Sequence, residues 1–228
     1  MPVFHLTNDL IFPNPDYAEN EGILALGGDL SVERLLLAYS NGIFPWYVKD
    51  EPIMWWSPDP RCVLFTEKFK LSKSLRLLIQ KGTFEVRIDT CFRKVIKNCA
   101  DAIRKEGEGT WITAEMQKAY IKLHKAGYAH SIEIFLNHQL VGGLYGVSLG
   151  KAFFGESMFH HESNASKIAM YYLVQLAKKY KFDFIDNQMT TSHLMSLGAE
   201  EISRNTYLKM LNKSLKKRTL KGSWKNRL

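Results

Sequence analysis

The sequence predicts an α+β protein in two parts. A small N-terminal α/β domain covers residues 1–61, and a larger domain with a mixed, largely antiparallel sheet covers residues 62–228. Three observations carry this. Residues 22–61 are dense in turn formers and aromatics and close on Pro58 and Pro60, two breakers that mark a boundary. Residues 129–159 read as three strands joined by two tight turns, an antiparallel meander. A strongly periodic helix follows, and a further strand returns after it. With 46% apolar residues in 228, the chain can bury a real core.

In the first part, Gly27-Gly28-Asp29 leads into Ser31, a good N-cap. Val32, Leu35, Leu36 and Tyr39 follow at helical spacing until Asn41-Gly42 stops the helix. The glycine pair reads as a turn, because no Gly-Lys-Ser/Thr follows to make a phosphate cradle. In the second part, residues 72–80 and 90–104 read as helices with a strand at 86–88 between them. Thr113 opens another helix over 113–125. The meander occupies 129–136, 140–149 and 152–159, turning at Asn137-His138 and Gly150-Lys151. Ser163 or Asn164 then caps a helix with Ala165, Ile168, Ala169, Tyr172, Leu173, Leu176 and Tyr180 on one face, and a strand follows at 182–186.

The formal charge of +8 is unevenly placed. Nine of the 31 basic residues follow Glu201, where no acid occurs, leaving 22 bases against 23 acids elsewhere. That tail includes Lys213, Lys216, Lys217 and Arg218. A second basic group holds Lys68, Lys70, Lys73, Arg76 and Lys81. Such patches suit a phosphate backbone, though a merely solubilising tail fits the charge as well. Cys62, Cys91 and Cys99 lack Cys-x-x-Cys spacing and read as reduced structural thiols. His160-His161-Glu162 is the densest ligand-like cluster, but adjacent side chains diverge, so no metal is expected. The N-terminus lacks a basic segment followed by an apolar one, and no run is long enough to cross a bilayer; a cytoplasmic protein without a membrane partner is expected.

The chemistry concentrates in Gly155-Glu156-Ser157-Met158-Phe159 and Phe184-Ile185-Asp186-Asn187-Gln188. Residues two apart on a strand share a face, which pairs Glu156 with Met158, and Asp186 with Gln188 if the strand persists. Each face is then part apolar, part acidic, and suits one apolar and one cationic group. Met158, Ile185, Met170 and Leu173 are candidate pocket walls, a role that core packing would equally explain. His193 reads as a satisfied structural histidine.

The order of helices, meander, helix and strand resembles the acyltransferase (GNAT-like) fold known from acetyl-coenzyme A-dependent enzymes. The glycine-rich pyrophosphate turn of those enzymes is missing, since His160-His161-Glu162-Ser163-Asn164-Ala165-Ser166 holds no glycine. A closer resemblance rests on eight blocks in order. These are Leu26-Gly27-Gly28-Asp29-Leu30, Gly42-Ile43-Phe44-Pro45-Trp46, Trp55-Trp56-Ser57-Pro58-Asp59-Pro60-Arg61, Gly109-Thr110-Trp111-Ile112-Thr113, His130-Ser131-Ile132-Glu133, Val141-Gly142-Gly143-Leu144-Tyr145-Gly146, the Glu156 block, and Asp186-x-Gln188 with His193 and Ser196-Leu197-Gly198-Ala199. Together they resemble the leucyl/phenylalanyl-tRNA–protein transferase family.

The resemblance implies transfer of Leu or Phe from aminoacyl-tRNA to an N-terminal Arg or Lys of a protein, marking it for N-degron degradation. An aminoacyl ester is already activated, so no cofactor is implied. In the family's mechanism Asp186 polarises Gln188, whose amide oxygen holds the acceptor amine. A neutral amide is a very weak base, so the ribose hydroxyl beside the ester is a better proton carrier, with both residues as positioners. Glu156 is a candidate contact for the cationic acceptor, and Trp46 and Trp111 are candidates for the terminal adenosine. Trp55 and Trp56 read as core. Lys73, Arg76, Lys213, Lys216, Lys217 and Arg218 are candidate tRNA-backbone contacts. The competing expectations are a coenzyme A-dependent N-acyltransferase and a noncatalytic tRNA-binding module.

Overall fold

The structure is a computed structural model describing residues 3–102 and 110–227. In the first part, β1 (Phe4–Leu6), β2 (Ile23–Gly27), α1 (Val32–Ser40), β3 (Phe44–Pro45) and β4 (Met54–Trp56) build a four-stranded sheet in the order β1-β2-β4-β3. Then come β5 (Arg61–Leu64), α2 (Lys73–Gln80), β6 (Glu85–Ile88), α3 (Phe92–Asp101), α4 (Ala114–Lys125), β7 (Ala129–Leu136), β8 (Gln139–Leu149), β9 (Ala152–His160), α5 (Ala165–Lys179), β10 (Phe184–Gln188), α6 (Ser192–Ser196), β11 (Glu200–Ile202) and α7 (Arg204–Leu215). Their seven strands form one mixed sheet, β11-β5-β10-β9-β8-β7-β6, in which only β9 and β10 pair in parallel.

The helix starts follow from side chains that satisfy orphan backbone donors. Ser31, Ser72, Thr113 and Ser203 accept from the backbone N–H three residues on. The start of α3 uses a distant cap instead. The Glu133 carboxylate, buried on β7, takes the N–H groups of Thr90 and Cys91 and the hydroxyls of Thr90 and Ser131. That gives the His130-Ser131-Ile132-Glu133 block a structural role. The helix expected over 90–104 ends at Asp101 among the described residues, and Arg104 and Gly109 lie outside them. The strand expected from 182 begins at Phe184.

Neighbouring glycines on β8 show how the sheet is covered. A Cβ on Gly142 would strike Ala165 of α5, while one on Gly143 would reach Val95 of α3. Successive strand residues face opposite ways, so α3 and α5 cover opposite faces. Two apolar clusters follow: α1, α3, α4 and α7 with Phe154 and Phe184 on one side, α2 and α5 with Phe153 and Ile185 on the other. The first cluster includes Trp55 and Leu35, so both sheets share one core. Trp55 is fully buried and donates to the Gly27 carbonyl, as a core tryptophan should. Trp56 donates to the Trp46 carbonyl.

The basic C-terminus is more than a solvated tail. Its first twelve residues are α7, with Tyr207 and Leu211 buried. Beyond it Trp224 is fully buried and stacks on His130, rings 3.8 Å apart and 5° from parallel. Asp89 ties this together, accepting from Trp224 N–H at 2.8 Å and Ser131 N–H at 2.9 Å and meeting His130 Nδ1 at 2.9 Å. Among the described residues no helix is long and apolar enough to cross a membrane.

Candidate active site

Pairing between β9 and β10 stops at Phe154–Asp186, and beyond that point the strands part. A cavity of about 850 Å³ opens there, between Phe44, Trp46 and Trp111 on one side and Met158, Met170 and Leu173 on another, with Glu156 and Gln188 in its wall. Trp46, Trp111, Met158, Met170 and Leu173 therefore line one space. Ile185 does not. It is fully buried in the cluster under α5 and absent from the cavity wall.

Two irregularities aim the polar groups. On β9, Gly155 pairs with Gly146 and Ser157 with Tyr145, so Glu156 is an extra residue in a β-bulge. The expected shared face of Glu156 and Met158 is thereby broken. Met158 packs with the α5-side cluster, whereas Glu156 turns to the Tyr39 and Tyr120 hydroxyls. On β10 a second register shift falls between Asp186 and Gln188, and Gln188 adopts a left-handed φ of 64°. A non-glycine residue held there signals a position fixed by its surroundings, as functional sites often are.

The result is a buried chain of hydrogen bonds. Glu156 Oε1 accepts from Tyr39 Oη at 2.7 Å and Gln188 Nε2 at 2.8 Å, and Oε2 accepts from Tyr120 Oη at 2.8 Å. Asp186 is fully buried and takes both Arg61 Nε at 2.9 Å and Nη2 at 2.8 Å, Tyr207 Oη at 2.7 Å, and the Gln188 backbone N–H at 2.8 Å. This revises the expected link. Asp186 holds the Gln188 backbone, and Glu156 is the carboxylate that holds its side-chain amide. With one Nε2 hydrogen held by Glu156, the amide oxygen of Gln188 is turned to the other side and can accept from a ligand.

Burial pushes the Glu156 carboxyl up to about 7, against the hydrogen bonds from Tyr39, Tyr120 and Gln188 that pull it down. Burial works against the Arg61 charge too, but Asp186 and Tyr207 outweigh it and hold the guanidinium ionised. That guanidinium also lies over the rings of Phe44 and Tyr207, at 4.8 and 4.5 Å.

Arg61, Tyr207, Tyr39 and Tyr120 had no assigned role in the sequence. The signal was present: an acid in the apolar run Phe184-Ile185-Asp186 must find a buried partner. His193 also departs from expectation. It lines the cavity, and its Nε2 has no hydrogen-bond partner among the described residues. Burial first, then Lys167 and His160, lower its pKa. His160 and His161 sit in the cavity wall, His161 Nε2 meeting Asn98 Oδ1 at 2.7 Å. Among the described residues no three His, Cys, Asp or Glu side chains are placed to hold a metal.

A meander, a covering helix and a parallel strand, with a cavity where the parallel pair diverges, define an acyltransferase-like protein. Residues 63–212 match the leucyl/phenylalanyl-tRNA protein transferase family, and residues 28–59 match that family's N-terminal domain. The chain belongs to this family. Proteins named leucyl/phenylalanyl-tRNA–protein transferase from Desulfatibacillum aliphaticivorans and Syntrophobacter fumaroxidans are 53% and 52% identical to it, each over 98% of this chain and 96% of its own length. Among solved structures, an aminoglycoside acetyltransferase from a soil metagenome overlaps with a TM-score of 0.38 and 12% identity over 50% of this chain and 84% of that one. So slight an overlap adds nothing to the sheet order itself.

Proposed function

We propose that this protein transfers Leu or Phe from aminoacyl-tRNA to the α-amine of a protein bearing N-terminal Arg or Lys, and that the product is marked for N-degron degradation. The observation that supports it best is the Tyr39/Tyr120–Glu156–Gln188–Asp186–Arg61 chain at the wall of an apolar, tryptophan-flanked cavity. Met158, Met170 and Leu173 receive the aminoacyl side chain, and Trp46 and Trp111 the terminal adenosine.

The amine nitrogen bonds to the ester carbonyl carbon while the carbon–oxygen bond to ribose breaks, and the proton lost by the amine finishes on the ribose oxygen. The acceptor amine has an ordinary pKa of about 8, so part of it is neutral near pH 7. The Gln188 amide oxygen accepts one N–H of that amine and orients its lone pair. Donating to a carboxylate makes that oxygen a stronger acceptor. The vicinal ribose hydroxyl relays the proton, since an amide is too weak a base to keep it.

The test uses Phe-tRNA with a labelled amino acid and peptides beginning Arg, Lys or Ala. Label is expected on the Arg and Lys peptides alone, falling at least about a hundredfold in Gln188→Ala, the scale of losing one transition-state hydrogen bond. Asp186→Ala also leaves Arg61 unpaired in the core, at about 3–5 kcal/mol, so its loss of activity is read only beside its stability. Equal binding of charged and uncharged tRNA with no transfer would leave the noncatalytic binding module.

A further inference from the structure

If the acceptor carries a cationic N-terminal side chain, the cavity must offer it an anion. The two buried carboxylates are poor candidates. Asp186 is outside the cavity wall with its oxygens on Arg61, Tyr207 and the Gln188 backbone. Glu156 already accepts three protein donors. Among the described residues lining the cavity, the only other acid is Asp101.

Asp101 ends α3, at the negative end of that helix's dipole. An acid there is unfavourable for the helix itself, and the last turn of the helix holds no base. Its ion-pair partner is Lys97 one turn earlier, at 2.6 Å, with both side chains more than half exposed. Such an i,i+4 pair is weak and easily exchanged for another cation. Across the sheet, on the α5 and α6 side, the cavity wall carries His160, His161 and His193, and Lys167 stands in the first turn of α5.

Resting on the proposed transfer reaction, we infer that Asp101 is the specificity residue that receives the guanidinium or ammonium of the acceptor's first residue, displacing Lys97.

The experiment compares wild type and Asp101→Asn with Phe-tRNA and two peptides that differ only in N-terminal Arg or the uncharged isostere citrulline. The preference for Arg in kcat/KM should drop about tenfold in the variant, mostly through KM, the size expected for one partly exposed charged hydrogen bond. Lys97→Met, which frees the carboxylate, should move KM for the Arg peptide the other way. Being exposed, Asp101 can be changed without disturbing the core, and unchanged Phe-tRNA binding confirms this. An Arg-to-citrulline preference equal in both proteins would overturn the role of Asp101 and leave the transfer reaction standing. Transfer by wild type to neither peptide would overturn both.

Discussion

Glu156 and Asp186 are both buried carboxylates, yet their surroundings treat them differently. Asp186 faces a guanidinium, whereas the donors on Glu156 are two phenols and an amide, all neutral. Burial therefore dominates at Glu156 and raises its pKa from 4.5 to about 7. The folded state then holds a proton that the unfolded chain has released, so this residue lowers stability as pH rises from about 4.5 to 7, by about 3 kcal/mol in all. Glu156→Gln removes that burden. Its stability relative to wild type should improve between pH 5 and 7 in urea melts and level off above that, and a constant difference would disprove the assignment. Activity should respond in the opposite direction. Deprotonation strengthens the grip on Gln188 Nε2, so the pH–rate profile of wild type gains a limb near pH 7. That limb vanishes in Glu156→Gln, while the one from the acceptor amine near 8 remains.

At the scale of elements, the caps at Ser31 and Thr113 were legible in the sequence, because they act through local backbone geometry, whereas the cap expected from Ser163 or Asn164 fails: Asn164 holds the N-cap position of α5 at a left-handed φ of 68° and its side chain caps no backbone N–H. The meander turns were equally plain, with Asn137 and His138 both at positive φ. The site was legible as residue types but not as contacts. Bulges at Glu156 and at Asn187 shift the alternation on which any same-face argument relies, and nothing in a single sequence marks them. The C-terminal segment was hidden for another reason: its charge obscured the apolar positions Tyr207, Leu211 and Trp224 that dock it. Trp224 fills the space beside His130, Phe153 and Phe182, and its backbone is held by Asp89. Trp224→Ala should accordingly cost about 3–5 kcal/mol, as large-to-small changes in packed cores do. The urea midpoint measures it, and a loss below about 1 kcal/mol would show the segment to be a loosely held appendage.

Over the whole molecule, the basic residues of α2 and those of α7 lie over opposite faces of the sheet. Leu75 anchors α2 in the cluster with α5, and the Lys70 N–H bonds the Leu197 carbonyl at the end of α6, so Lys73 and Arg76 share a face with the α5–α6 edge of the cavity. Tyr207 and Leu211 anchor α7 in the opposite cluster. Part of the C-terminal charge is also engaged, since Lys217 Nζ lies 2.6 Å from Asp183. An RNA whose 3′ end enters the cavity from the α5–α6 edge meets the α2 group first. Every phosphate that the protein no longer neutralises flattens the dependence of log affinity on log salt by about 0.7–0.9. Lys73→Glu with Arg76→Glu should therefore weaken aminoacyl-tRNA binding and flatten the slope by about 1.5. An equal number of reversals at Lys216 and Arg218 should change it less. Binding measured across a salt series separates the cases, and a larger effect from the C-terminal pair would place the RNA across the α7 face instead.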